Sequence, residues 1–171
     1  MRATYYVAPT SFRWDDALMN PKDERREHYR HSRPLPTRWR DNDVYHHINN
    51  VIYYEFFDTV INGYLMEAGG LDFSGGEQVG FAVETHCQFL KPVRFPDVVD
   101  ACLRVGQLGN SSVRYEIGIF KQGDAAPAAV GYFVHVFVDR LTGEPARISG
   151  RLREAMEALQ VSAAVNLRGS K

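Results

Sequence analysis

The clearest pattern in the chain is an apolar stretch over residues 51–68 whose polar members Glu55, Asp58 and Asn62 recur at i, i+3 and i+7. On a helix these three form one narrow stripe, so most of the circumference of that helix must be buried. Asn49 or Asn50 can cap its start, and Gly69-Gly70 can end it. Upstream, residues 37–40 read as a short extended segment.

Four strand-like runs follow the helix. Residues 79–90 alternate Phe81, Val83, Thr85, Cys87 and Phe89 against Ala82, Glu84, His86 and Gln88, and Pro92 with Pro96 break the run. The run over 98–105 alternates Val99, Ala101, Leu103 and Val105. A third places Val113, Tyr115, Ile117 and Ile119 on one face after the turn Gly109-Asn110-Ser111, and a fourth covers 128–138. Runs joined by short turns predict an antiparallel meander. After a turn over 139–145, Ser149 can cap a final amphipathic helix carrying Leu152, Ala155, Met156 and Leu159. A sheet buries most of one helix only by curving around it. The order therefore predicts an α+β fold with a curved antiparallel sheet wrapped around a long central helix, and a second helix at the C-terminus.

Residues 1–34 follow no sustained period. They mix isolated aromatics (Tyr5, Tyr6, Phe12, Trp14) with a charged run over 22–28, and Pro34 and Pro36 close the segment. It reads as an arm that packs on the surface or on a neighbouring subunit, with the two-signed charged run as a solvated face. The expected organisation is an N-terminal extension over 1–35, one domain over 36–160 and a tail over 161–171.

Composition narrows the function. At 171 residues and 44% apolar content the chain fits one globular domain. Its 20 basic and 21 acidic side chains nearly cancel, which gives no overall field for nucleic acid or an anionic membrane. Cys87 and Cys102 stand apart, without the spacing of a disulfide frame or a zinc site. No run approaches the ~20 apolar residues of a membrane span, and the start lacks a charged-then-apolar leader, so a cytoplasmic location is the expectation.

The densest polar cluster, Asp41-Asn42-Asp43-Val44-Tyr45-His46-His47-Ile48-Asn49-Asn50, sits between the first extended segment and the start of the buried helix. A helix start leaves backbone N–H groups without partners and carries partial positive charge, so it can hold a carbonyl oxygen that becomes negative during attack. A carboxylate a few residues upstream can face the same carbonyl carbon.

Here the sequence resembles a family. The run Thr37-Arg38-Trp39-Arg40-Asp41-Asn42-Asp43, continued by His47, Asn49-Asn50 and Tyr53, is similar to the D-x-D-x-x-G-H-x-N-N-x-x-Y signature of hot-dog-fold acyl-CoA thioesterases of the 4-hydroxybenzoyl-CoA thioesterase type. The similarity continues through Phe89-Leu90-Lys91-Pro92-Val93, through Leu108-Gly109-Asn110-Ser111-Ser112 and through Val138-Asp139-Arg140. The resemblance implies hydrolysis of acyl-CoA to free acid and coenzyme A. It makes Asp43 the nucleophile or general base and a backbone N–H at the helix start, that of Asn50, the oxyanion donor. It implies no cofactor. His46 stands where the family usually has Gly, a turn position that tolerates positive φ, and a side chain there can crowd the pocket mouth.

Each candidate has a plainer role. Asp41 reads as a residue that fixes the loop. His47 can be a base, a partner that orients the carboxylate, or a packed turn residue. Asn49 and Asn50 can serve only as helix caps. His46-His47 make a poor metal pair, because adjacent residues point apart and no third ligand stands at a recognisable spacing. Glu84 and His86 share a strand face and are expected to be exposed, the alternative being that they line a pocket formed with a second subunit. Ser111, Ser112 and Lys91 can meet coenzyme phosphates or serve only turn and solvation.

Asp43, His47 and Asn50 are thus the catalytic candidates, and Tyr53, Asn49, Ser111 and Ser112 the candidates for substrate contact. Tyr53, Tyr54, Phe57 and the loop over 69–78 are expected to set pocket depth. An edge strand as apolar as 79–90 needs cover, and relatives place the site between protomers, so the expected assembly is a homodimer or homotetramer. The rivals are a hot-dog hydratase, for which no D-x-N-P-x-H stretch is present, and a non-catalytic acyl-CoA or acyl-carrier binding module, for which His46 in place of Gly is the supporting feature.

Overall fold

The structure, a computed structural model, describes residues 20–161. Tyr5, Tyr6, Phe12 and Trp14 of the arm, and the tail after residue 161, lie outside the described residues. The elements in order are one-turn 3-10 helices Pro21–Asp23 and Arg26–His28, strand β1 His31–Pro36, a 3-10 turn Trp39–Asp41, helix α1 Asn50–Glu67, strands β2 Gln78–Phe89, β3 Val98–Leu108, β4 Ser112–Lys121 and β5 Ala129–Asp139, and helix α2 Gly150–Ala158. All five strands form one antiparallel sheet in the order β1-β3-β4-β5-β2.

The core lies between one face of this sheet and α1. Val99, Ala101, Leu103 and Val105 of β3, with Val113, Tyr115, Ile117 and Ile119 of β4, are fully buried and cluster with Phe56, Phe57, Val60, Ile61 and Leu65 of α1. Each buried Val, Leu, Ile or Phe among them contributes about 1.5–3 kcal/mol relative to exposure. Glu55 and Asp58 are exposed and Asn62 half-buried, as the narrow polar stripe requires. Helix α2 closes the far end of α1. Arg151 donates through Nε to the Ala68 carbonyl at 2.8 Å and through Nη2 to that of Glu67 at 2.9 Å, satisfying carbonyls that the helix end leaves free.

Four expectations are corrected. The first strand is β1, His31–Pro36, and not 37–40, where a 3-10 turn stands instead; the sheet therefore takes in residues read as part of the arm. Pro34 and Pro36 fit because β1 is an edge strand that pairs only with β3. The meander holds for β3, β4 and β5, but β2 pairs with β5 at the opposite edge from β1. The alternation of β2 is interrupted by a register shift between Ala82 and Glu84. This bulge sends Phe81, opposite Val136, to the outer face while Thr85, Cys87 and Phe89 face the helix. Ser149 occupies the cap position of α2, yet its side chain makes no capping bond.

The outer face carries the described part of the arm. Glu24 is buried and accepts from Arg104 at 2.8 and 3.1 Å, while Arg104 Nε donates to Glu116 at 2.6 Å and its guanidinium lies 4.9 Å from the Tyr29 ring. The charged run over 22–28 is thus not wholly a solvated face: Glu24 anchors the arm in a hydrogen-bonded ion network, where its charge is compensated.

Candidate active site

Two loops are laced together at the start of α1. Asp41 is fully buried; its carboxylate accepts the backbone N–H of Arg38 at 2.7 Å and Arg38 Nε at 2.9 Å, and its carbonyl accepts the Asn49 N–H at 2.8 Å. Asn42 Oδ1 accepts the Phe95 N–H at 3.1 Å, and the Ile48 N–H donates to the Val93 carbonyl at 2.8 Å. The cluster over 41–50 is therefore held along the segment that follows β2. Asp41 has the loop-fixing place expected for it.

Between these anchors the chain makes a tight turn. The Asp43 N–H donates to the His47 carbonyl at 2.7 Å, and Asp43 Oδ1 accepts the N–H groups of Tyr45 at 2.8 Å and His47 at 3.2 Å. Asp43 Oδ2 has no hydrogen bond among the described residues. His46 completes the turn at φ 62°, the left-handed conformation that glycine adopts without strain. It is exposed and does not line the cleft beside it.

That cleft has a volume of about 430 Å³ and is lined by Asp43, His47, Ile48, Asn49, Asn50 and Tyr53 on one side and by Phe89, Leu90, Lys91 and Pro92 on the other. Five of the seven site candidates thus meet in one place. Asn49 caps α1, its Oδ1 accepting the Val51 N–H at 3.2 Å. The N–H of Asn50, the first residue of α1, donates to no acceptor among the described residues. It adjoins the cleft where the helix dipole is positive. The His47 imidazole is exposed and makes no hydrogen bond among the described residues; its backbone, not its ring, meets Asp43.

Tyr53 is buried at the cleft wall with its ring 5.0 Å from that of Phe89, and burial, with Cys87 nearby, pushes its phenol up to about 12. Burial also raises the Cys87 thiol to about 12, so it stays protonated at neutral pH and is no nucleophile. Tyr54 and Phe57 pack against Phe133 and do not line the cleft, and neither does the loop over 69–78.

Ser111 and Ser112 are the two candidates placed elsewhere. Ser112 pairs with Val136, whereas Phe89 at the cleft pairs with Ala129. Seven residues along β5 separate the two points by roughly 23 Å at ordinary strand rise. Within one protomer the serine turn and the cleft lie at opposite ends of the sheet. Sequence reasoning had not assigned Phe89, Leu90 and Pro92 to the site; the prolines that break the run after Phe89 were the available signal, since they mark where the chain leaves the sheet to face the polar loop. No group of three or more His, Cys, Asp or Glu side chains among the described residues is arranged to hold a metal ion.

A sheet wrapped on one helix, with a carboxylate beside that helix's N-terminus, is the architecture of hot-dog thioesterases, and the chain belongs to the thioesterase superfamily, whose sequence profile matches residues 45–128. It is 52% identical to the PA5185 protein from Pseudomonas aeruginosa strain PAO1, a match covering 81% of this chain and 97% of that one with a TM-score of 0.79. A thioesterase from Thermus thermophilus, described in complex with coenzyme A and zinc, is 26% identical, with 78% of this chain and 96% of that one covered and a TM-score of 0.66. The 1,4-dihydroxy-2-naphthoyl-CoA thioesterase Slr0204 from Synechocystis shares the fold at 15% identity, with 73% and 93% covered and a TM-score of 0.67. No match is found among curated proteins.

Proposed function

We propose that this thioesterase-family protein hydrolyses acyl-coenzyme A thioesters in the cleft at the start of α1. The observation that carries the reading is the juxtaposition there of a fixed carboxylate with one unengaged oxygen, on Asp43, and an unengaged backbone N–H, on Asn50. In this mechanism the Asn50 N–H, aided by the helix dipole, donates a hydrogen bond to the developing oxyanion. Asp43 either deprotonates the water that attacks the carbonyl carbon and passes that proton to the departing sulfur, or attacks the carbon itself to give a mixed anhydride. In the second route water then hydrolyses the anhydride to free acid, and the thiolate takes its proton from water. Either way the C–S bond breaks and coenzyme A leaves as the thiol. His47 stands at the cleft mouth as a second polar group, Asn49 holds the helix start in place, and Tyr53 with Phe89 forms the apolar wall for the acyl group.

Assembly follows from β2. This edge strand exposes Phe81 and Phe89 at about half of their surfaces and offers an unpaired backbone edge. A second copy of the chain is the natural cover, and a homodimer or homotetramer in the cytoplasm is the form proposed here. Ser111 and Ser112 can reach a thioester in this cleft only from such a second copy. Against the binding-module alternative stands the position of His46, which takes up the left-handed turn and does not line the cleft. Incubation of the purified protein with short, long and aromatic acyl-CoAs and a thiol reagent tests the reading. Release of thiol from at least one is expected; none from any, by a protein that binds coenzyme A, would contradict it.

A further inference from the structure

Trp39 is 79% exposed, among the most exposed of the large apolar side chains, yet it stands on a hydrogen-bonded turn. It begins the 3-10 turn Trp39–Asp41, whose last residue is the fully buried Asp41, tied twice to Arg38. Its ring stands edge-on to Phe95, with centroids 5.9 Å apart and planes at 82°. At 79% exposure the indole, packed against one ring, still has an open flat face. Phe95 lies on the same segment as Lys91 and Pro92 of the cleft wall, four residues further on, an extended reach of at most about 14 Å. The turn also carries Arg40, which is exposed and has no partner among the described residues, and the segment carries Arg94, whose side chain is exposed and donates no hydrogen bond among them. Arg38 is already engaged by Asp41 and Glu55, and Lys91 by Asp124.

We propose that Trp39 is the stacking platform for the adenine of coenzyme A, with Arg40 and Arg94 receiving its phosphates. This rests on the thioesterase reading of the adjoining cleft and deepens it by naming the carrier half of the substrate. The chemistry is complementary on both counts. A purine offers a π-face to the exposed indole, and a diphosphate with a 3′-phosphate offers charge to two exposed guanidinium groups, Arg40 and Arg94, the second of which also lies near Asp97. The reach is compatible: the indole stands beside Phe95, which is no more than about 14 Å of extended chain from Lys91 of the cleft wall, and the pantetheine arm with its diphosphate and ribose can cover that span. A carrier that presents only phosphopantetheine would leave this platform unused.

The test is calorimetric titration of the whole protein with free coenzyme A and, separately, with 4′-phosphopantetheine. Trp39→Ala should weaken coenzyme A binding by about 10-fold or more, within the range found for losing one base–aromatic stack. It should leave phosphopantetheine binding within about twofold, and Trp39→Phe should keep most of the coenzyme A affinity. Unchanged coenzyme A affinity in Trp39→Ala, equal losses for both ligands, no binding of coenzyme A by the parent, or a change in assembled mass on substitution would each overturn the proposal. The last would assign Trp39 to a subunit contact. A parent that binds coenzyme A through Trp39 but hydrolyses no thioester would sink the catalytic reading and leave this one standing.

Discussion

Asp43 and His47 close on each other through two hydrogen bonds, the Asp43 N–H to the His47 carbonyl at 2.7 Å and the His47 N–H to Asp43 Oδ1 at 3.2 Å. With the Tyr45 N–H on the same oxygen, the carboxylate is oriented by backbone alone. Its two oxygens have different occupations: Oδ1 holds the turn, and Oδ2 accepts no hydrogen bond among the described residues. A His47→Ala protein should therefore keep the orientation of Asp43, since only the backbone of His47 takes part.

The turn requires His46 to sit at φ 62°, a conformation that costs a residue with a Cβ about 1–2 kcal/mol. His46→Gly relieves this strain against a smaller loss in chain entropy on folding, leaving a net gain on the order of 1 kcal/mol. The thermal midpoint should rise by about 2–4 °C with hydrolysis retained. A lower midpoint in calorimetry would show that the His46 side chain, and not glycine's freedom, stabilises the turn.

Asn50→Pro removes the proposed oxyanion donor together with the Asn50 side chain, for which Asn50→Ala, keeping the N–H, is the control. Asn50 is the first residue of α1, where proline is accepted, and Asn49 already has φ −58° and ψ 140°, the extended conformation that a following proline demands. Turnover should fall by roughly 10² to 10³ at an unchanged thermal midpoint. Activity within a few-fold of the parent would pass the role to another group; the Val51 amide, engaged by the Asn49 side chain, would first have to give up its cap.

His135 gives stability a pH dependence. It is buried beneath the sheet, edge-on to Tyr115 at 5.3 Å, and its Nε2 has no partner among the described residues; burial holds its pKa down at about 4 against an ordinary 6.5. The unfolded chain therefore takes up a proton between these two values that the folded chain refuses. Stability is complete above pH 6.5 and falls as pH drops to about 4, by about 3 kcal/mol in all. Denaturant titrations of the parent and of His135→Phe should differ in pH slope across this window, and parallel profiles would contradict the assignment.

Light scattering checks the cover proposed for β2. At micromolar concentration the mass should be that of two chains or more, and a fully active strict monomer would exclude a site that needs a second copy.

The extent to which these features were legible in the sequence follows the range of the interactions involved. Helix α1, its Asn49 cap and the polar loop before it are encoded over a few residues and were readable, because Glu55, Asp58 and Asn62 leave only one stripe for solvent. The placement of β2 beside β5 depends on pairing between distant residues, and no local pattern records it. β1 was hidden by Pro34 and Pro36, which look like strand breakers unless the strand is known to lie at an edge. The bulge after Ala82 likewise left a clean alternation in the sequence while changing the face of Phe81. Ser111 and Ser112 were drawn into the site by resemblance, and only the register of β4 against β5 shows how far along the sheet they stand.

The most direct measurement is the hydrolysis rate of Asp43→Asn on the best acyl-CoA of the panel. The amide keeps an oxygen for the Tyr45 and His47 N–H groups, so the turn should persist and the thermal midpoint should stay within a few degrees. Without the carboxylate, turnover should drop by at least ~10²-fold, the low end for an acid–base residue. Near-parental turnover by a folded Asp43→Asn protein would contradict the account.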